Sequence, residues 1–192
     1  MKKNIKIITV VINGVEYRVM VLYKMVQKIA VDAYRSLYIN SDEIIHTGMW
    51  WIARDAERLP NGKVKARKLN ALAHRPGLHC AVVPWSNWIG QKMSDGSLAR
   101  REGYVWLEVY VVLGKNYTPE ARENGWKNGK FSSQRACLDY VPVDGYYWYS
   151  TNSKQPWDWA ICGSCWVARE LPENEVNTLC WEWGVEPQKL AV

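Results

Sequence analysis

The run Tyr104-Val105-Trp106-Leu107-Glu108-Val109-Tyr110-Val111-Val112-Leu113 is the clearest strand signal in the chain. Successive side chains of a strand point to opposite faces, so the odd-numbered aliphatic positions share one face of a sheet. The other face places Glu108 between the rings of Trp106 and Tyr110. A ring-lined surface of this kind would raise the pKa of a carboxylate, which is typical of a functional site. The simpler interpretation is an exposed glutamate on the wet face of an antiparallel sheet.

A second informative segment, Arg75-Pro76-Gly77-Leu78-His79, precedes this strand. Pro76-Gly77 predicts a turn that leads into a strand over about 78–83. On that strand His79 faces away from Leu78, Cys80 and Val82. If those three pack inward, His79 points either to solvent or into a cleft.

The flanking segments predict several further elements. Asn13-Gly14 indicates a first β-hairpin over about 5–22. Apolar residues at helical spacing favour a helix over about 24–34, followed by a short strand near 36–40. Further along the chain, a strand is expected at 48–54 and a basic loop at 63–68. A short helix is expected at 118–123 with Thr118 as N-cap, followed by a mobile polar loop around Asn124-Gly125 and Asn128-Gly129. The segment of about 146–180 should form C-terminal strands and then a last helix, which begins near Pro172.

Many strands with few helices predict an α+β fold. We expect one domain over 1–192, built on a twisted, mostly antiparallel sheet with a few short helices. No internal repeat and no linker divides the chain.

The amino-acid composition favours certain classes of binding partner but identifies no single one. The net charge of +6 and the pI of about 9.0 would favour nucleic acid, an anionic cofactor or an acidic protein. Twelve Trp and eleven Tyr suit clefts and interfaces, although they also suit an ordinary core. No apolar run reaches the roughly 18 residues of a membrane span, and Lys6 interrupts the early apolar stretch, so a cytoplasmic protein is expected. The oligomeric state is left open.

Five cysteines give no disulfide framework and are interpreted as free thiols. Cys162 and Cys165 have the spacing of half a zinc site or of a redox pair. No second Cys or His pair lies nearby, so no metal is expected.

The ordered motifs Arg75-Pro76-Gly77-x-His79, Ile89-Gly90 and Val105-Trp106-x-Glu108-Val109 resemble an uncharacterised domain. That domain recurs in very large polyvalent proteins of bacteriophages and bacterial mobile elements. The resemblance covers about residues 16–180.

The layout is also similar, more weakly, to ADP-ribosyltransferase-like domains of phages. This resemblance implies a split antiparallel sheet that clasps NAD as substrate in a cleft. It implies that Arg18 contacts the NAD phosphates or ribose, that His79 hydrogen-bonds the nicotinamide ribose, and that Glu108 is the catalytic carboxylate. The residues expected to bind the substrate are Arg75, Trp106, Tyr110, Tyr147, Tyr149, Thr151 and Asn152.

The leading hypothesis is therefore a phage or mobile-element effector that transfers ADP-ribose from NAD to a host macromolecule. An alternative is a non-enzymatic binding module that inhibits a host defence complex or binds nucleic acid, since Trp, Tyr and Arg are enriched at binding hot spots. A third interpretation is a virion-associated structural protein.

Overall fold

The computed structural model describes residues 5–67, 69–150 and 157–191. The strands in chain order are β1 (Ile7–Ile12), β2 (Val15–Ala30), β3 (Ala33–Arg35), β4 (Met49–Ile52), β5 (Val64–Ala66), β6 (Leu69–Leu72), β7 (Leu78–Cys80), β8 (Gln91–Lys92), β9 (Leu98–Ala99), β10 (Tyr104–Val112), β11 (Lys115–Asn116), β12 (Trp126–Lys127), β13 (Lys130–Phe131), β14 (Gly145–Tyr149), β15 (Trp159–Cys162) and β16 (Ser164–Glu170). The helices are α1 (Thr118–Glu123), α2 (Glu173–Glu182) and a 3-10 turn at Ser133–Arg135.

The larger sheet has the order β1-β2-β10-β16-β4, and β3 adds to the far end of β2. All of its pairings are antiparallel. At its centre β10 pairs with β2 without a break, from Tyr104 opposite Gln27 to Val112 opposite Val19. The strand predicted over 104–113 is thus confirmed to within one residue.

The helix predicted over about 24–34 is wrong, because β2 continues as one strand to Ala30. Its residues from Val19 to Val26 are all buried, whichever face of the sheet they occupy. A strand buried on both faces shows no alternation of polar and apolar residues, so its sequence does not differ from that of a buried helix. The short strand expected at 36–40 lies a few residues earlier, as β3.

A smaller sheet has the order β11-β14-β15-β7, in which β11 runs parallel to β14 and the other pairs are antiparallel. The two sheets meet where Tyr23 and Ala81 exchange backbone hydrogen bonds of 2.8 and 2.7 Å. One hydrophobic core joins them, with Leu107 and Val167 from the larger sheet and Ala160 from the smaller. The expected mostly antiparallel fold with few helices is confirmed at this level.

Several local predictions are corrected. The strand expected over 78–83 ends at Cys80 and continues only as the bridge at Ala81. The polar loop expected at 124–129 is a hairpin formed by β12 and β13. The basic loop at 63–68 contains β5, and Lys68 lies outside the described residues.

Both predicted short helices form. The first begins at Thr118, so Tyr117 rather than Thr118 occupies the N-cap position. The last begins at Glu173, directly after Pro172. Among the described residues, no helix has the length and apolar character needed to cross a membrane.

Candidate functional site

A cleft of about 500 Å³ opens beside the junction of the two sheets. Its floor includes Lys24 of β2 and Trp51 of β4, while one wall is formed by Tyr149 of β14 and Trp159 of β15. Residues of the segments 36–43, 72–79 and 86–89 add to the lining. So do Met25, Ala53, Arg54, Ala56 and Val64. This volume lies within the range of small-molecule sites.

Lys24 is an unusual residue for the floor of a cleft, because it is only 9% exposed. It lies opposite Leu107 in the register of β2 and β10, and therefore on the face that also carries core residues. Its ammonium donates to the His79 carbonyl at 3.1 Å and lies 4.8 Å from the centre of the Trp51 ring. Within the described part of the chain, no carboxylate pairs with Lys24, so its positive charge is not neutralised.

Arg75 supplies a second cation without a carboxylate partner among the described residues. Its guanidinium carbon lies 4.7 Å from the centre of the Tyr149 ring, and its Nε is buried without a hydrogen-bond acceptor. The Tyr149 hydroxyl and the Trp159 indole N–H, on adjacent strands, are also buried and unpaired. An unsatisfied buried donor costs roughly 1–3 kcal/mol. All three of these donors belong to residues that line the cleft.

His79 also lines the cleft, near enough to both cations for their charges to act on its imidazole. Burial first, and then the charges of Lys24 and Arg75, lower its pKa to about 3, although a hydrogen bond to the Gly77 backbone acts in the opposite direction. The imidazole is therefore neutral near pH 7 and can act as a hydrogen-bonding group.

Gly77 fixes the turn that brings Arg75 and His79 to the cleft. Its φ is +112°, and a Cβ at this position would lie 2.4 Å from the Ile161 side chain on β15. Only glycine fits such a backbone against a neighbouring strand. The Pro76-Gly77 turn predicted from the sequence thus has a steric reason.

Glu43 is the acidic residue among the described cleft-lining residues. Its carboxylate accepts the Trp51 indole N–H at 3.2 Å and pairs with Arg54 Nε at 3.5 Å. Trp51 therefore joins Glu43 to Lys24 through one ring. The positive charge of the cleft exceeds its negative charge.

Glu108 lies on the other face of the larger sheet. It is opposite Tyr23, whereas Lys24 is the next residue of β2 and points to the cleft side. The Glu108 carboxylate accepts from Arg169 at 3.0 Å and from the Tyr110 hydroxyl at 3.1 Å. Arg169 also binds Glu175 of α2 at 2.7 Å, so Glu108 helps to attach the last helix to the sheet.

Arg18 is exposed near the start of β2. Lys24 is six positions further along the extended strand, a distance of roughly 20 Å. The structure therefore does not bring together the trio Arg18, His79 and Glu108, since only His79 lines the cleft.

The expected binding residues are similarly divided. Arg75 and Tyr149 line the cleft. Trp106 is buried in the main core, and Tyr147 belongs to a second small core with Ala121 and Ile161. Tyr110 lies beside Glu108 on the opposite face. Thr151 and Asn152 are outside the described residues.

Sequence reasoning missed Lys24, Glu43, Trp51 and Trp159 as cleft residues. Lys24 did carry a signal, because it is the one charged side chain in the apolar run from Val19 to Val26. A lone cation in a buried strand has to be paired or functional. The other three have no pattern that would distinguish them from core or surface residues.

Three cysteines lie close together in the core, near enough to Lys24 for its charge to act on the Cys80 and Cys165 thiols. Cys80 and Cys162 on β7 and β15 have their sulfur atoms 3.9 Å apart, and Cys165 is buried beside them. No group of described side chains has an arrangement that could hold a metal ion.

Comparisons of the chain with protein-family models, with curated proteins and with solved structures found no match.

Proposed function

We propose that this domain binds an anionic, ring-bearing small molecule of the nucleotide class in the cleft. The observation that carries the proposal is the set of unpaired groups in its lining: two cations without carboxylate partners and three buried donors without acceptors, all within the described residues. Phosphate oxygens would satisfy both kinds of group at once.

The phosphates and the base of a bound nucleotide would occupy different parts of the cleft. Its phosphates would lie between Lys24 and Arg75, beside neutral His79. Its base would stack on the aromatic lining, which includes the half-exposed indole of Trp88. NAD, the substrate implied by the family resemblance, belongs to this ligand class.

Isothermal titration calorimetry with NAD, ADP-ribose, AMP, adenosine and inorganic phosphate tests this proposal. We expect the phosphate-bearing ligands to bind more tightly than adenosine. Lys24→Met should weaken their binding about tenfold to a hundredfold, the value of a charged hydrogen bond. The variant should still fold, because Met replaces a buried charge with an apolar chain of similar length.

Lys28→Met is the matched control. Lys28 lies four residues further along β2, pairs with Glu170 at 2.7 Å and does not line the cleft. Equal losses of binding in the two variants, or no heat with any ligand of the panel, would contradict the proposal.

A second candidate function is ADP-ribosyl transfer, for which we infer a different carboxylate from the one that the sequence indicated. The observation that favours it is Glu43, which lies in the cleft beside Trp51. When the bond between nicotinamide and ribose breaks, nicotinamide leaves with the bonding electrons and positive charge develops on the ribose. A nearby carboxylate stabilises that charge, as in glycoside hydrolysis. The acceptor nucleophile, by the resemblance a group on a host macromolecule, then bonds to the ribose and loses its proton.

Release of nicotinamide from NAD, followed by NMR in the presence of host lysate, separates the two carboxylates. Glu43→Gln should abolish turnover with little loss of NAD binding, whereas Glu108→Gln should retain turnover and lose only stability. Turnover that survives Glu43→Gln but not Glu108→Gln would overturn this assignment. Binding without turnover in the wild-type protein would leave the domain as a nucleotide-binding module.

A further inference from the structure

A small basic hairpin projects from the fold after α1, where a mobile polar loop was expected. It consists of β12 and β13 around Asn128-Gly129. Both turn residues have positive φ, +52° and +71°, as a tight two-residue hairpin turn requires. The segment therefore has a defined shape.

The base of the hairpin is fastened by Arg135. Its guanidinium donates to the carbonyl of Gly125, directly before β12, at 3.1 Å and to that of Lys130, in β13, at 2.9 Å. A Cβ on Gly125 would lie 2.5 Å from the Phe131 ring, so glycine is needed for this close approach. The hairpin is thus held in one orientation on the protein.

Two aromatic side chains of this hairpin are presented to solvent. Trp126 and Phe131 are directly opposite each other and are 60% and 42% exposed. Their ring centres are 5.4 Å apart and their planes are tilted by 57°, so the two rings contact each other on one face of the hairpin. Aromatic rings of this size are usually at least partly buried. Their exposure on a hairpin that is held in place by Arg135 indicates a partner with flat apolar groups.

Two lysines flank the turn and face each other. Lys127 pairs with Lys130 in the strand register, and neither forms an ion pair with any described residue. Like charges directly opposite each other destabilise a strand pair. From Arg122 to Arg135 the sequence contains four cations and a single acid, Glu123. The tip of the hairpin is thus complementary to a polyanion.

We propose that this hairpin is a binding site for single-stranded nucleic acid, independent of the cleft. Trp126 and Phe131, on one face of the hairpin, would stack on unpaired bases. The long side chains of Lys127 and Lys130 leave the opposite face beside the turn, and would contact phosphates where the nucleic-acid strand passes the tip. An anionic membrane fits less well. The lysines lie closer to the tip than the rings do, so insertion of the rings into lipid would first bury two charges.

Fluorescence anisotropy with labelled single-stranded oligonucleotides of twelve nucleotides tests the proposal. The wild-type protein should bind them more tightly than a duplex of the same length, in which the bases are already stacked. Lys127→Gln/Lys130→Gln should lower the slope of log affinity against log salt by roughly 1.4, because two phosphate contacts are lost. This variant removes a repulsion, so the hairpin should remain folded.

Lys63→Gln/Lys92→Gln is the matched control, because it removes the same charge from two exposed lysines outside the hairpin. It should leave the salt slope unchanged. Trp126→Ala should weaken binding about tenfold, whereas Trp126→Phe should retain most of it.

Three outcomes would overturn the proposal: equal effects of the two double variants, no preference for single strands, or binding confined to vesicles of anionic phospholipid. Failure here is distinct from failure of the nucleotide site, because the two sites share no residues.

Discussion

His79 illustrates how one residue's surroundings set its chemistry. Its neighbours Lys24 and Arg75 and its burial all disfavour the imidazolium, which lowers the pKa to about 3. A ligand phosphate placed between the two cations would cancel part of their charge. The neutral imidazole is therefore suited to the arrangement inferred for the cleft, in which it donates or accepts a hydrogen bond beside bound phosphate.

The depressed pKa of His79 predicts acid sensitivity. In the unfolded chain this imidazole takes up a proton near pH 6.5, whereas in the native state it does so only near pH 3. The free energy of unfolding is therefore unaffected by the titration of His79 above pH 6.5 and decreases as the pH falls below that value. Allowing for its partial exposure, the loss should be roughly 1–2 kcal/mol at pH 5 relative to pH 7.5. His79→Gln should remove this part of the pH dependence in urea denaturation.

His74→Gln controls for the removal of a histidine from the same cleft. If wild-type protein and His79→Gln lost the same free energy of unfolding between pH 7.5 and pH 5, the burial of His79 against two cations would be contradicted.

At the scale of elements, the passage from β15 to β16 determines how the two sheets are joined. Gly163 is the residue between them, and its N–H donates to the Gly145 carbonyl at 3.0 Å. A Cβ on Gly163 would lie 1.9 Å from the Pro142 carbonyl oxygen. The connection between β15 and β16 therefore has no room for a side chain at Gly163.

Gly163→Ala should cost about 2–3 kcal/mol of stability, because the backbone at Pro142 has to move. Thermal and urea denaturation would measure the loss. Gly96→Ala is the control: its φ is +83° but its added Cβ would meet no atom within 4 Å, so only about 1 kcal/mol of backbone strain is expected. Equal costs at the two positions would show that the contact with Pro142 is not the limiting factor.

Elements with strong local signals were predictable. Asn13-Gly14 gave the first hairpin, and the alternation over 104–112 gave β10. The continuation of β2 beyond Leu22 was not, because the middle of this strand is buried on both faces and so loses the alternation that marks a strand. The hairpin at 126–131 was missed because its paired strands are too short to show any period.

For the whole molecule, the cleft could not be deduced from the sequence. Its charged and aromatic groups come from Lys24, Glu43, Trp51, Arg75 and Tyr149, which are far apart in the chain. Their meeting depends on how the two sheets join at Tyr23 and Ala81. The local pattern favoured Glu108, but this residue pairs with Tyr23 of β2 and not with its neighbour Lys24. Glu108 therefore lies on the face of the sheet opposite the cleft.

A crystal structure of the protein soaked with ADP-ribose would test the central claim most directly. We expect the ligand in the cleft, with phosphate oxygens about 2.7–3.2 Å from Lys24 Nζ and from the Arg75 guanidinium. The Tyr149 hydroxyl or the Trp159 indole N–H should gain an acceptor from the ligand. An empty cleft at saturating ligand, or a ligand bound beside Glu108 on the other face of the sheet, would contradict the account.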